Sequence, residues 1–485
     1  MSHPFVITQR VLGLLLMLFS FAMLVPAAAA ILFRDGELAA FVDGFAATFL
    51  AGLLLWLPVR HLRRDLKLRE GFLVVVLFWV VLSLFGAVPL YLAESPSMSF
   101  TDAVFESASG LTTTGATVLT GLDALPHAVL VWRQLLQWLG GMGIIVLAVA
   151  VLPMLGVGGM QLYRAETPGP LKDAKLTPRI RETAKALWLI YVGLTALCAA
   201  AFWLAGMGAF DAVMHALSTL STGGFSTHDL SMGHFDSALI ETIALVFMFL
   251  GAVNFALHFA AWRHASAAPY WRDAEFRGFA LLSATMILVC AAFLLATGTR
   301  ANAGAALLDS AFQVVSIGTT TGYTTADFTV WPAFLPMMLI LGSIVAGCGG
   351  STSGGIKVMR FQLLYRQGLR EIRRLVHPSA EVPIKLGGRV IPDSVVQAIW
   401  GFFSAYVGVY IMVFLILTAT GLDEVSAFSA VAACLNNLGP GLGEVSATMV
   451  GVSAVGKWVL GLAMIMGRLE IFTLLAVLTP AFWRG

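Results

Sequence analysis

Apolar runs long enough to cross a bilayer follow one another along most of the chain, separated by short polar breaks. Residues 11–33 form the first run, and Arg34-Asp35-Gly36-Glu37 turns the chain into a second at about 40–58. At about 20 residues per crossing, the pattern predicts ten spans, two in each of five units: 1–69, 70–159, 160–263, 264–375 and 376–485. The last four units each contain a further apolar segment too short to span, at 101–111, 211–220, 308–318 and 426–435. These read as short helices whose C-terminal ends carry partial negative charge.

The polar breaks sort by charge. Residues 59–71, 160–185, 262–277 and 357–389 hold 22 of the 29 Lys and Arg, which places those loops in the cytoplasm by the positive-inside rule. The opposite loops carry Glu94, Asp123, Asp229, Asp236, Asp327, Asp423 and Glu444, an acidic outer vestibule that would concentrate cations. Composition agrees: 59% hydrophobic and 12% charged residues lie far outside soluble usage. A net charge of +2 says nothing of nucleic acid, because the charges are segregated by loop. Cys198, Cys290, Cys348 and Cys434 lack paired or metal-ligand spacing and read as buried free thiols. The nine histidines are scattered along the sequence, unlike the clustered polar face of a membrane enzyme, so no enzymatic chemistry is expected.

Residues 309–328 read DSAFQVVSIGTTTGYTTADF: a short helical pattern that breaks into Thr319-Thr320-Thr321-Gly322-Tyr323. Threonines continue a helix poorly, and glycine takes the positive φ that other residues avoid. One such stretch is an ordinary loop, but this one recurs. An Asp thirteen residues before a Gly appears as Asp102/Gly115, Asp211/Gly224 and Asp309/Gly322, with Ser426/Gly439 as a degenerate fourth copy. Four units of span, short helix, glycine strand and span are what a fourfold pore needs when one chain supplies every quarter. The fold class expected is an all-α polytopic membrane protein: four pseudo-repeated units around one ion pore, plus an N-terminal pair of transmembrane helices. The three aspartates are expected to N-cap the short helices rather than bind ions. The coordinating atoms would be backbone carbonyls of Thr113, Thr114 and Gly115; Thr222, Gly223 and Gly224; Thr320, Thr321 and Gly322; and Asn437, Leu438 and Gly439. In the fourth copy Pro440 follows the glycine, so a less regular strand is expected there.

These motifs resemble the TrkH/TrkG/KtrB/HKT superfamily of potassium transporters: TTTGAT (112–117), STGGFST (221–227), TTTGYTT (319–325), NNLGPGLG (436–443), GCGGSTSGGIK (347–357) and MGRLE (466–470). The resemblance covers essentially the whole chain. It implies K+ as the transported ion, since sodium-selective relatives tend to carry serine at the position of Gly115. It also implies a homodimer in the bacterial inner membrane, multi-pass with both termini cytoplasmic, in contact with membrane lipid and binding neither nucleic acid nor an organic cofactor. Its cytosolic partner would be a TrkA-like nucleotide-binding regulatory subunit, with a KtrB-like sodium-dependent system as the alternative. The two extra N-terminal spans of the family argue against a cleaved signal peptide, although Pro26–Ala30 ends in small residues.

The second span of the third repeat, 331–346, offers 16 residues, about 24 Å of helix against a hydrocarbon core of about 30 Å. Gly347, Gly349, Gly350, Ser351, Thr352, Ser353, Gly354 and Gly355 would therefore lie at membrane depth, where irregular backbone is tolerated only when it lines a cavity. No G-x-x-x-x-G-K-[ST] can be drawn through them, which excludes a nucleotide P-loop. Lys357 and Arg360 would mark the cytoplasmic mouth, or snorkel to the interface. Residues 361–375 alternate apolar and basic positions with helical period, for a lipid surface or the regulatory subunit, and 177–185 offers a second such surface. Arg468 interrupts the final apolar run, 453–480, where an unpaired cation is costly. It lies 29 residues beyond Gly439, and the same step from Gly322 reaches Ser351. The expectation is that Arg468 hydrogen-bonds carbonyls around 349–353 and holds a gate shut, rather than pairing with Glu470. The family's own arginine at this position points the same way.

Overall fold

The computed structural model describes residues 5–61, 68–146 and 176–483. Helices dominate them, and the sheet content is one hairpin of two-residue strands, Lys385–Leu386 and Arg389–Val390. Six helices among the described residues are long and apolar enough to cross a membrane: Val6–Phe33, Leu38–Val59, Arg69–Leu92, Ala184–Leu204, Ala274–Ala296 and Asp393–Ala419. Two bent pairs, Ala238–Gly251 with Phe255–His264 and Ala454–Arg468 with Phe472–Leu478, bring the total to eight if each pair is one span. The chain is an all-α, multi-pass membrane protein.

Four of the ten expected spans are not uninterrupted apolar helices: the two bent pairs, and the second helices of repeats 1 and 3. The second helix of repeat 1, His127–Val146, carries Arg133, Gln134 and Gln137, all buried in protein. The second helix of repeat 3, Phe334–Gly342, has nine residues, fewer than the sixteen expected, and irregular backbone begins at Ser343. There the Ser343 Oγ hydrogen-bonds the Ile340 carbonyl, competing with helix continuation. Val345 and Ile356 then bridge, closing the Gly-rich segment into a loop.

The long helices form an outer wall whose apolar side chains are widely exposed, as lipid-facing positions should be. Inside it sit the four short helices, Phe100–Leu111, Ala209–Leu220, Ala303–Gly318 and Glu424–Leu435. Their inner turns are buried although they carry Ser107, Ser109, Ser218, Thr219, Ser316 and Ser429.

The N-cap expectation for the aspartates fails, because each helix starts earlier than its Asp. Ser99 caps the first helix, accepting from the Asp102 amide at 3.1 Å. Asn302 caps the third, accepting from Gly304 at 2.8 Å, and Gly208 begins the second without a side-chain cap. Asp102 and Asp211 sit in the first turn, where a carboxylate still complements the helix dipole. Asp309 lies further in and pairs with Arg300 at 2.5 Å. In the fourth repeat the order is exchanged: Asp423 caps, and Ser426 takes the Asp102 position.

Candidate ion-path site

Each short helix ends in the same way. The residue two before the repeat glycine is left-handed: φ is 55° at Thr113, 51° at Thr222, 56° at Thr320 and 55° at Asn437. Its amide hydrogen-bonds three residues back (Thr113 to Gly110, 3.0 Å; Asn437 to Cys434, 3.3 Å). The next amide reaches five back (Thr114 to Ser109, 2.8 Å; Gly223 to Ser218, 2.9 Å; Thr321 to Ser316, 2.8 Å; Leu438 to Ala433, 2.7 Å). This is the Schellman termination, in which glycine usually supplies the left-handed residue. Three threonines supply it here, a strained conformation for a β-branched side chain. Two residues on, φ is positive again: 82° at Gly115, 78° at Gly224, 83° at Gly322 and 102° at Gly439.

Local preference places the left-handed conformation at the glycines alone; the three threonines and Asn437 adopt it as well. The fourth strand, expected to be less regular, follows the same pattern through Gly439. Asn tolerates the left-handed region better than Thr, and Pro440 acts only after it.

The four strands close on one another. A Cβ placed on Gly115 would strike the carbonyl of Gly223; on Gly224, that of Thr321; on Gly322, that of Leu438; on Gly439, that of Thr114. All four approaches are inside the 3.0 Å that real Cβ atoms keep, tightest at Gly224 and widest, at 2.7 Å, at Gly439. The cycle runs once through the repeats and returns to the first. The carbonyl of Gly223 also accepts from Gln137 Nε2 at 2.6 Å, and Gln137 Oε1 accepts from Ser218 and Phe225. Nothing in the sequence signalled that brace.

A cavity of about 390 Å³ stands over this ring and is lined by all four glycines. Of the seven acids expected around it, Asp229 and Asp327 line it, together with Arg133 and His228. Asp123 lies just behind, hydrogen-bonded to His228 Nδ1 at 2.5 Å. That bond holds the Asp123 carboxyl below the usual carboxylate range.

Beneath the ring, the second helices break at corresponding depths. The step of 29 residues that joins Gly439 to Arg468 and Gly322 to Ser351 leads from Gly224 to Val253. Val253 lies in the 99° bend between Gly251 and Phe255, and Arg468 ends its helix at a 114° bend. The Gly-rich loop of repeat 3 fills the break in repeat 2: Cys348 donates to Ala252 (2.8 Å), Thr352 to Gly251 (3.2 Å), and Phe255 to the Gly350 carbonyl (3.1 Å). Backbone groups freed by a break within the membrane must find partners, and these are theirs. Thr352 Oγ1 donates to the carbonyls of Gly251 (2.9 Å) and Leu220 (3.1 Å), and the Gly354 amide donates to Thr320 Oγ1 at 2.7 Å. The loop is thereby tied directly to the third strand of the ring.

Arg468 is buried, donating from Nη1 to the Thr352 carbonyl (2.6 Å) and from Nη2 to the Gly140 carbonyl (3.3 Å). It therefore joins repeats 1, 3 and 4 at one level. Glu470 pairs with Arg360 instead, and the Arg360 guanidinium also stacks over Phe402 at 4.5 Å. Lys357 does not snorkel: its ammonium turns back to the carbonyls of Ser353 and Gly354. Glu275, unremarked in the sequence, accepts from the amides of Gly349 (2.9 Å) and Met359 (3.1 Å) and so pins both ends of the loop.

A second unforeseen element is the buried pair of Glu106 and Arg133, 2.8 Å apart. Glu106 accepts from Thr117 Oγ1 and the Val118 amide, Arg133 donates to the Ser226 carbonyl, and Phe225 packs on the guanidinium at 4.1 Å. The pair ties the exits of strands 1 and 2 together. Glu106→Gln would leave a buried cation uncompensated, which costs about 3–5 kcal/mol. A marked loss of thermal stability in detergent is expected, larger than for Glu106→Gln combined with Arg133→Met. Equal melting temperatures for all three proteins would refute the role.

Compared with known proteins, residues 37–482 match the family model described as TrkH, cation transport protein. The Trk system potassium uptake protein TrkH of Vibrio parahaemolyticus serotype O3:K6 is 57% identical, over 98% of this chain and 99% of that protein. TrkH of Escherichia coli K12 is 54% identical, over 98% of each. The crystal structure of the potassium transporter TrkH from Vibrio parahaemolyticus superimposes with a TM-score of 0.92 at 54% identity, covering 99% of this chain and 100% of that one.

Proposed function

Since the chain belongs to the TrkH family of cation transport proteins, we propose that it takes up potassium through the axis of the four glycine strands. The observation that carries this reading is the closed cycle in which each repeat's glycine abuts the next repeat's carbonyl. Left-handed residues at alternate positions of each strand can turn successive carbonyls to one side, and a ring of such carbonyls can replace the hydration shell of K+. The filter comprises Thr113–Gly115 and its three counterparts, contacting K+ through backbone oxygens. The loop 347–355, with Arg468, forms the gate on the cytoplasmic side. Potassium flux into liposomes holding the purified chain tests the reading, and a chain that moves no K+ with or without a cytosolic subunit refutes it.

The chain works as a homodimer in the inner membrane, with a TrkA-like nucleotide-binding subunit on the basic cytoplasmic face. The helix Val358–Val376 supports that docking through its strongly amphipathic pattern. The side chains of 177–183, most of the other expected docking surface, lie outside the described residues. Arg370 serves a different purpose from its neighbours: it is buried and bonds Asp393 at 2.6 Å, so it locks this helix to the next. Arg373 is exposed and Arg374 half-buried, and these two face outward for a partner. Charge reversal at both is expected to weaken capture of the cytosolic subunit several-fold while membrane insertion stays normal. Undiminished capture with collapsed expression would make the helix a lipid anchor instead.

A further inference from the structure

Two of the nine histidines meet in space. His228 and His234 stack face to face, 3.5 Å between centroids and 1° between planes, at the outer mouth of the cavity. Asp123 reaches both: its Oδ1 lies 2.5 Å from His228 Nδ1 and 3.9 Å from His234 Nδ1. One ligand atom from each of the three residues falls within 4.8 Å of the others. We propose that Asp123, His228 and His234 form a binding site for a divalent transition-metal ion of the Zn2+ class.

Two imidazoles and one carboxylate suit a borderline-soft dication, and three protein ligands leave a fourth position for water; because the in-plane lone pairs of parallel rings do not converge, the exposed His234 ring turns out of the stack when it joins the ion. The outer shell is also present. His228 Nε2 faces Asp211 Oδ1 at 3.5 Å, and Asp211 is held by Thr227 Oγ1 at 2.7 Å. That carboxylate does not yet hydrogen-bond Nε2, but it stands where it can accept from the far nitrogen once Nδ1 is turned to the metal. Asp123 Oδ2 accepts from the Asp229 amide at 3.3 Å, and Asp229 Oδ1 from the Leu122 amide at 3.1 Å, so both loops are pre-shaped.

The position gives such an ion a consequence. Asp123 belongs to the outer loop of repeat 1, both histidines to that of repeat 2, and Asp211 to the second short helix. A bound dication would clamp the two loops together and place positive charge beside His228, which lines the path to the ring. Entry of K+ should slow accordingly.

Calorimetry of the purified full-length chain with Zn2+ alone provides the test, and because it reads binding it stands apart from the transport reading. The wild type should take up one Zn2+ per chain. Affinity should fall about tenfold or more in Asp123→Asn and be lost in His228→Ala/His234→Ala, with the monodisperse elution profile retained. External Zn2+ should lower potassium flux through the wild type severalfold and leave the double variant unaffected. No binding by the wild type, equal binding by the double variant, or equal inhibition of both overturns the site.

Discussion

Serine at Gly224 lowers the permeability ratio of potassium over sodium, by at least about tenfold, equivalent to about 1.4 kcal/mol of lost discrimination. Two effects add at that position. The φ of 78° penalises any Cβ, and the Cβ itself would lie against the Thr321 carbonyl more tightly than at the other three glycines. The carbonyl must turn or retreat, and the added hydroxyl competes with it for the ion. Gly322 and Gly115 follow in order of crowding, and Gly322 is further confined by Pro440 Cδ at 2.7 Å. Gly439 has the most room, so its serine variant should lose least. Reversal potentials measured for the four variants, each verified as folded by size-exclusion chromatography, give the ranking. Four ratios equal to the wild type would remove the glycines from the ion path.

Arg468→Ala raises basal potassium flux in the absence of the cytosolic subunit by about an order of magnitude. The guanidinium makes charge-assisted bonds to the Thr352 and Gly140 carbonyls, each worth about 1.5–3 kcal/mol. Losing a fraction of that sum is enough to shift a closed population tenfold. Lysine at the position should give an intermediate flux, because one ammonium cannot span both carbonyls as the planar fork does. Deleting part of 349–354 should raise flux equally, and the combination should add nothing, since both changes remove one tether. Basal flux at the wild-type level in both variants, with protein present in the membrane, would refute the gate. Glu275→Gln offers an independent probe. It weakens the hold on Gly349 and Met359, which flank the segment that Arg468 tethers, and should move flux the same way.

Much of this architecture was legible as sequence because the bilayer allows so few solutions. Apolar length marked most of the spans, and the thirteen-residue interval from Asp to Gly exposed four repeats, of which the last had lost its Asp. Equal steps from equivalent glycines even set Arg468 and Ser351 at one depth, because pseudo-symmetric repeats share their rise along the axis. The left-handed threonines were not legible. Thr disfavours that region locally, and only the pair of Schellman bonds with closure against neighbouring strands holds it there. The start of the short helices was misplaced for a related reason, since Ser99 and Asn302 outcompeted the more conspicuous aspartates as caps. Contacts spanning repeats lay beyond any local pattern: Glu106 with Arg133, Gln137 with Gly223, Arg360 with Glu470, and Asp123 with two histidines more than 100 residues away. Each joins groups whose separation along the chain carries no signal. Their pairing is dictated by the need of buried charges and amides for partners once the helices have packed, and only the packed structure decides which partners stand within reach.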